Sequence, residues 1–245
     1  MAGPRLDAMT PDLEHHPAIL SLRDEGFLSP AIADFVPTLR AMQAPWFDLI
    51  GRINRHGQAV MNNLEALCNG RSTHDPISLA TRLLMRSLSA FQGAVLLAER
   101  GLATDAEALA RGVYENAFWL GYLQAEPQAA VAALIADELR SQKSRDRALL
   151  KDLDRAQTPR PDLQAMLTAR IAKADSELKG APKKLDIEKL AEKGDVDAVY
   201  FAYKMLSSGA AHASLHSLAK HLNVDADGEL SGHVTGPDVD VPRAR

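Results

Sequence analysis

The fold is decided by residues 79–122, which read LATRLLMRSLSAFQGAVLLAERGLATDAEALARGVYENAFWLGY. Gly101 separates two helix-favouring segments, and it directly follows Arg100, a cation that suits the last turn of a helix. Thr104 and Glu107 then have the spacing of a capping box, which starts a new helix. The stretch therefore predicts two long antiparallel helices joined by a left-handed residue at Gly101.

The second of these helices carries a line of polar residues. Glu107, Arg111 and Glu115 are spaced by four and therefore share one helix face. The residues around the last two are mostly apolar: Val113, Tyr114, Ala117, Phe118, Trp119 and Leu120. A charged pair in such surroundings is either a half-buried structural pair or part of a site, and both interpretations stay open.

Two arginines lie on the first helix of the pair. Arg82 and Arg86 are four residues apart and share a face. Because an arginine fork suits an anionic ligand, Arg86 is a candidate ligand-binding residue. The alternative is exposure to solvent with local pairing.

Helical patterns flank the central pair on its N-terminal side. Residues 11–22 predict a short helix, and Pro30 opens a second one that ends near Met42. Pro45 opens a long helix that ends before Asn69. Its apolar residues recur every three or four positions, which predicts a core-facing stripe: Trp46, Ile50, Ile53, Gly57, Val60, Leu64 and Leu67.

Helical patterns continue after Pro127. One helix is expected to reach about Ala156, and its second half is a run of mixed charges: Lys143, Arg145, Asp146, Arg147, Lys151, Asp152, Asp154 and Arg155. Mixed signs at helical spacing predict a solvated face with weak ion pairs, and the alternative is a surface for nucleic acid or another anion. Further helices are expected over 162–179 and 185–193.

The last helix is predicted to run from Val196 to Leu222, with Asp195 as its N-cap. One apolar stripe follows it: Phe201, Met205, Ser208, His212, Leu215, Ala219 and Leu222. A histidine within such a stripe needs a hydrogen-bond partner, because burying an unsatisfied ring nitrogen costs about 1–3 kcal/mol.

Three interpretations of His212 compete. It is a core histidine held by Ser208 or a facing polar residue, or it meets Arg111 and Glu115 in a ligand or acid–base site. In the third, His212 and His216 bind a metal from one helix face, with Glu115 or Asp137 completing the shell. The sequence has no H-E-x-x-H motif, and no core helix shows the Glu-x-x-His pattern of di-iron bundles, so no metal or cofactor is expected.

The length, composition and net charge are those of an ordinary globular protein. It has 245 residues, 46% of them hydrophobic and 24% charged, and its net charge of −4 gives no support to nonspecific nucleic-acid binding. Cys68 is its single cysteine, which fits a reducing compartment. The first residues lack the apolar core of a signal peptide, and no apolar run reaches the ~20 residues of a membrane span, so a cytoplasmic protein is expected.

These patterns predict an all-α protein. We expect a helical bundle with two long central antiparallel helices and extra N-terminal helices. It would form a single domain over residues 11–222, between a flexible start at 1–10 and a flexible tail at 223–245. No P-loop, G-x-S-x-G, G-x-G-x-x-G or C-x-x-C motif is present.

Two blocks of the sequence resemble a family. The first runs from Arg86 through Gly101 to Glu115 and Leu123, and the second runs from Tyr203 to Leu218. Together they resemble a large group of bacterial, all-helical proteins classed as a domain of unknown function. The resemblance implies a helical bundle with a paired polar site, and its motif residues here are Arg111, Glu115, Tyr203, Ser207 and His212.

A more distant resemblance is to the HEPN-type helical bundles, many of which are RNases in bacterial stress and phage defence. Those proteins carry Arg-x4–6-His on one helix. In this chain the closest spacings are shorter, and Arg111 and His212 stand on different predicted helices.

The sequence therefore favours a regulatory or interaction module that binds a protein partner or a small ligand. The candidate site has Arg111, Glu115 and His212 at its centre, and its expected ligand-binding residues are Tyr203, Ser207, Ser208, His216 and Arg86. One alternative is a metal-independent, HEPN-like RNase that uses His212 as acid–base, and another is a metal-dependent hydrolase that uses His212 and His216. Small-residue seams also fit a homodimer.

Overall fold

A computed structural model describes residues 25–156, 160–210, 215–225 and 227–233. This part of the chain is helical except for one short hairpin, so the predicted all-α fold is confirmed. The helix expected over 11–22 lies outside the described residues. In chain order the helices are α1 Ile32–Met42, α2 Ala44–Cys68, α3 Pro76–Ala98, α4 Ala103–Ala125, α5 Pro127–Arg155, α6 Pro161–Glu177, α7 Ile187–Lys193, α8 Tyr200–Ala210 and α9 Leu215–Ala219.

Gly101 reverses the chain between α3 and α4, as predicted. Its φ is +78°, in the left-handed region. The N–H of Leu102 donates to the carbonyl of Leu97 (3.0 Å), and the N–H of Gly101 donates to that of Ala98 (2.9 Å). This pair of bonds is a Schellman motif, which satisfies the last carbonyls of α3.

The capping box predicted at Thr104 is wrong. The N–H of Ala106 donates to the carbonyl of Leu102 (3.0 Å), so α4 already begins at Ala103 and Thr104 lies inside its first turn. Glu107 instead accepts a hydrogen bond from Nζ of Lys220 at 2.5 Å. A cation is a stronger partner for this carboxylate than a backbone N–H.

The stripe predicted along α2 is only partly right. Trp46, Ile53 and Leu67 are exposed, although they were expected in the core. The packed face includes Gly57, which lies against the side chain of Leu88 in α3. The same face carries Asn54, which accepts a hydrogen bond from Gln92 (2.8 Å). A pattern of apolar residues alone does not predict this polar contact.

The chain divides into two compact units. The first takes in Met1–Leu64, Met85–Tyr114 and Phe201–Arg245, and the second takes in Glu65–Leu84 and Glu115–Tyr200. The expectation of a single domain over 11–222 stays a prediction. The largest fully buried side chains are in the second unit: Phe118, Leu167 and Leu190.

Helices α5 and α6 of the second unit pack as an antiparallel pair through polar contacts. Asp146 is only 8% exposed, and Nε of Arg170 lies 3.2 Å from its Oδ2, at ion-pair distance. The charge run of α5 was predicted to be solvated. That holds for Arg145, which pairs with Glu138 on an exposed face, and it is wrong for Asp146, which packs against α6.

Helices α4 and α7 approach each other at two glycines of the second unit. A Cβ on Gly121 would lie 2.7 Å from the carbonyl oxygen of Gly194, and a Cβ on Gly194 would lie 2.9 Å from the backbone nitrogen of Tyr122. Contacts this short leave no space for a side chain, so both positions require glycine.

The start of the predicted last helix is different in the structure. Asp195 has a φ of +54°, and its N–H donates to Glu192 while the N–H of Val196 donates to Ala191 (both 3.1 Å). Asp195 therefore ends α7 in a Schellman motif and is not an N-cap. A short 3₁₀ turn, Asp197–Val199, precedes α8.

The end of the predicted last helix also differs. Leu222–Val224 (β1) pairs antiparallel with Leu230–His233 (β2), so part of the segment predicted as a tail is a hairpin. Its turn is built on Asp225, whose Oδ1 accepts from the N–H groups of Asp227 and Glu229. Gly228 supplies the positive φ of +84°.

We expect Gly121→Ala to lower the free energy of unfolding by about 1–3 kcal/mol, because the new methyl group overlaps the backbone of Gly194. Gly112→Ala is the matched control in the same helix, since a Cβ there meets no described atom within 4 Å. It should stabilise α4 by about 0.5–1 kcal/mol through helix propensity. Urea unfolding measures both, and equal stability of the two variants would contradict the close approach.

Asp75 gives a prediction of pH dependence, because it caps α3. Its Oδ1 accepts from the N–H of Ile77 (2.9 Å), and Arg71 donates to its Oδ2 (3.2 Å). Burial alone would raise the pKa of Asp75, but these hydrogen bonds and the charge of Arg71 outweigh it and hold the pKa below its ordinary value. The charged cap therefore stabilises the folded chain above the unfolded pKa of about 3.9, and this contribution is lost as pH falls through the lowered folded-state pKa.

We accordingly expect Asp75→Ala to lower the melting temperature at neutral pH, and we expect its deficit against wild type to shrink below about pH 4. Thermal melts across this pH range test the prediction. Asp152→Ala, at an exposed position of α5, should change the melting temperature little at any pH. A deficit for Asp75→Ala that stays constant down to acid pH would show that the carboxylate charge does not act through the cap.

Candidate functional site

Arg111 of α4 contacts two residues of α8 that lie more than 90 positions away in the sequence. Its Nε donates to Oγ of Ser207 at 3.0 Å, and its Nη2 donates to the hydroxyl of Tyr203 at 3.3 Å. The guanidinium carbon also lies 5.4 Å from the centre of the Tyr203 ring. We call these three residues the Arg111 cluster, and all belong to the first unit.

Helical spacing explains why the cluster forms. Tyr203 and Ser207 are one turn apart on α8, so their side chains point to the same side. Glu107 lies one turn before Arg111 on α4, and it contacts Lys220, in the turn after α9. Arg111 therefore contacts the second sequence block, as the family resemblance implies, and Glu107 contacts Lys220 just beyond that block.

A small residue gives these side chains room. A Cβ on Gly209 would lie 3.2 Å from Nζ of Lys220 and 3.3 Å from Oε2 of Glu107. Lys220 is not among the residues that the sequence analysis singles out.

The Arg111 cluster orients a cation. Two hydroxyl oxygens and an aromatic face hold the guanidinium from different sides, so its plane is fixed before any ligand arrives. Tyr203 is buried at 7% exposure, while Arg111 and Ser207 are half-buried. A fixed guanidinium in a half-buried position can recognise a planar oxyanion through two parallel hydrogen bonds.

Two other predicted site residues lie at exposed positions. Ser208 is exposed, and its hydroxyl donates to the carbonyl of Met205 at 2.8 Å. Arg86 lies on an exposed position of α3.

Glu115, His212 and His216 are the three remaining candidates. Glu115 lies one turn beyond Arg111 on α4 and belongs to the second unit. His212 lies outside the described residues. His216 lies in α9, and its side chain is also outside the description. Their roles stay predictions.

The apolar stripe predicted along the last helix lies on the exposed face of α8, so the prediction of its buried face is wrong. Phe201 is 73% exposed and Met205 is 53% exposed, whereas the neighbouring Tyr203 is buried. Apolar residues occur on both sides of this helix, and the polar ends of Tyr203 and Ser207 made their side look solvent-facing. The face that packs is the one that can satisfy Arg111.

Among the described residues, no group of three or more histidine, cysteine or acidic side chains is arranged to hold a metal ion. Within the same residues, the helices are too short or too polar for any of them to cross a membrane.

Comparison with known proteins gives one match. Neither a curated protein nor a solved structure matches this chain. The more distant likeness to HEPN-type bundles finds no support in these comparisons. Residues 78–230 match the model of the Family of unknown function (DUF5677), and this range holds both sequence blocks and the whole Arg111 cluster. The chain therefore belongs to this family.

Proposed function

We propose that this protein is a binding module and that the Arg111 cluster takes the carboxylate group of a small ligand. The observation that carries the proposal is the orientation of Arg111 by the hydroxyls of Ser207 and Tyr203 and by the Tyr203 ring. A guanidinium held in this way keeps the fork geometry that matches a carboxylate.

The half-buried setting of the cluster favours a singly charged ligand. Desolvation opposes the entry of any charge, and its cost grows steeply with the size of that charge. A carboxylate carries one charge and is planar, so it forms two bonds with one guanidinium at a smaller desolvation cost than a phosphate dianion. The Tyr203 ring adds an aromatic surface beside the charge, which suits a ligand with an apolar or aromatic body.

The neighbouring ion pair supports a role in binding. Lys220 and Glu107 are partly exposed, at 25% and 35% of their side chains, and a Cβ on Gly209 of α8 would lie within 3.3 Å of both. Their salt bridge joins the turn after α9 to α4, one helical turn from Arg111. A ligand at Arg111 would therefore stabilise the packing of α8 on α4, and such a coupling is what a regulatory module needs.

We expect benzoate and acetate to bind the full chain, with benzoate the tighter because its ring adds apolar contact. Isothermal titration should show that Arg111→Gln weakens benzoate binding roughly tenfold or more, since the fork is lost. Arg111→Lys should weaken it nearly as much, because a lysine keeps the charge and loses the second bond. Arg86→Gln is the matched control at an exposed arginine and should leave the affinity unchanged.

Equal benzoate binding by wild type and Arg111→Gln, with both variants folded by circular dichroism, would overturn the carboxylate site. Incubation with single-stranded and structured RNA tests the class of function separately. Cleavage by the wild type that is lost in His212→Ala would overturn the binding-module proposal in favour of a nuclease.

Removing the hydroxyls should also show whether they orient Arg111. We expect Ser207→Ala and Tyr203→Phe each to lower the free energy of unfolding by about 1–2 kcal/mol, because each leaves a charged donor without its partner. Their effects should not add in the double variant, since both act on one guanidinium. Urea unfolding of the four proteins measures this, and fully additive losses would mean that the hydroxyls act independently of Arg111.

A further inference from the structure

A cleft of about 280 Å³ lies along α5 in the second unit. Its lining consists of three cations, one hydroxyl and one apolar side chain: Arg140, Lys143, Ser144, Arg147 and Leu178. The four residues from α5 lie three or four positions apart along two helical turns, so their side chains share one face of that helix. Leu178 follows α6 and closes the other side.

The cleft has an excess of positive charge. Lys143 donates to Oδ1 of Asp175, and Nη2 of Arg147 lies 3.9 Å from Oδ2 of the same carboxylate. The hydrogen bond from Lys143, followed by the charges of Lys143, Arg147 and Lys179, holds the pKa of Asp175 below its ordinary value. Asp175 is therefore ionised at neutral pH. The three cations that line the cleft, Arg140, Lys143 and Arg147, therefore outnumber this carboxylate.

Two of these cations are fixed in place by protein groups. Arg140 donates through Nη2 to the carbonyl of Pro182, which ties the segment after α6 to α5. Lys143 is 19% exposed and is held by Asp175. Arg147 is 60% exposed and therefore remains accessible at the rim. Such a site is partly organised before a ligand binds, and this reduces the entropy lost on binding.

We propose that this cleft binds the phosphate group of a small phosphate monoester. A phosphate dianion accepts several charge-assisted hydrogen bonds at once, and a lysine with two arginines supplies donors from more than one direction. The Ser144 hydroxyl adds a neutral donor. Leu178 provides the apolar wall against which the carbon part of an ester would lie.

The surroundings favour a small ligand over a nucleic acid. A nucleic-acid surface needs a basic stripe that follows many phosphates, and here cations and carboxylates are mixed along α5. Glu138 lies before the cleft, and Asp152 and Asp154 lie beyond it on the same helix. The volume of the cleft suits one phosphate group with a short organic part.

This site is independent of the carboxylate site proposed at Arg111, because all its residues belong to the second unit. It also differs in chemistry. The exposed cleft has several cations and can accept a dianion, whereas the Arg111 cluster is half-buried and has one guanidinium.

The test is titration of the full chain with inorganic phosphate and with glycerol 2-phosphate, with glycerol as the uncharged control. We expect both anions to bind and the ester to bind more tightly. Arg147→Gln should weaken binding roughly tenfold. Arg145→Gln is its matched control, because Arg145 neighbours the cleft on α5 and pairs instead with the exposed Glu138. Arg145→Gln should stay within about twofold of wild type.

Asp175→Asn is a second test, in which phosphate affinity should rise instead of fall. It removes the carboxylate that opposes the cations, so we expect phosphate affinity to rise several-fold. The same change removes the partner of Lys143, so the melting temperature should fall. A residue with only a structural role would lower the melting temperature without raising the affinity.

Three outcomes would overturn the proposal. Phosphate and its ester could fail to bind the folded wild type. Arg145→Gln could weaken binding as much as Arg147→Gln, which would show that only overall charge matters. A short single-stranded RNA could bind more tightly than the monoester with the same dependence on Arg147, which would assign the cleft to nucleic acid.

Discussion

The chain reversal at Gly101 is the constraint on which the first unit depends. A left-handed residue there turns the chain between α3 and α4, and Gly93 of α3 then lies against Leu109 of α4. The reversal places a buried carboxylate, Glu99, at the C-terminal end of α3, where the helix dipole disfavours negative charge. Arg40 and Arg100 offset this cost, because both donate to Glu99 (2.8 and 3.1 Å).

This geometry determines which face of α4 is available for function. Once α4 packs back on α3, its polar line meets α8 and the turn after α9, where Arg111 and Glu107 find their partners. The partners are about a hundred residues away in the sequence. A local turn therefore decides a long-range contact, because helix rotation about its own axis is fixed as soon as one face is buried.

The sequence predicted the helices, and the family resemblance implied that Arg111, Tyr203 and Ser207 share a polar site. The predictions failed where one residue type supports two local structures. Aspartate suits both an N-cap and a left-handed helix end, so Asp195 was assigned to the start of a helix when it ends one. Phe201 was assigned to the core because hydrophobic counting prefers a complete phenyl ring to the hydroxyl-bearing Tyr203. That preference reverses when a half-buried cation on the facing helix, here Arg111, needs an oxygen.

The charged residues of α5 also could not be assigned their roles from the sequence. They show why composition alone does not indicate function. Asp146 packs against α6, the neighbouring Arg145 lies on an outer face, and Arg147 borders a cleft. Their order in the sequence does not separate these roles, because the partners of Asp146 and Arg147 come from α6. What a charge can bind depends on how far the fold removes it from water. A half-buried guanidinium suits a single planar charge, and an open group of cations suits a dianion.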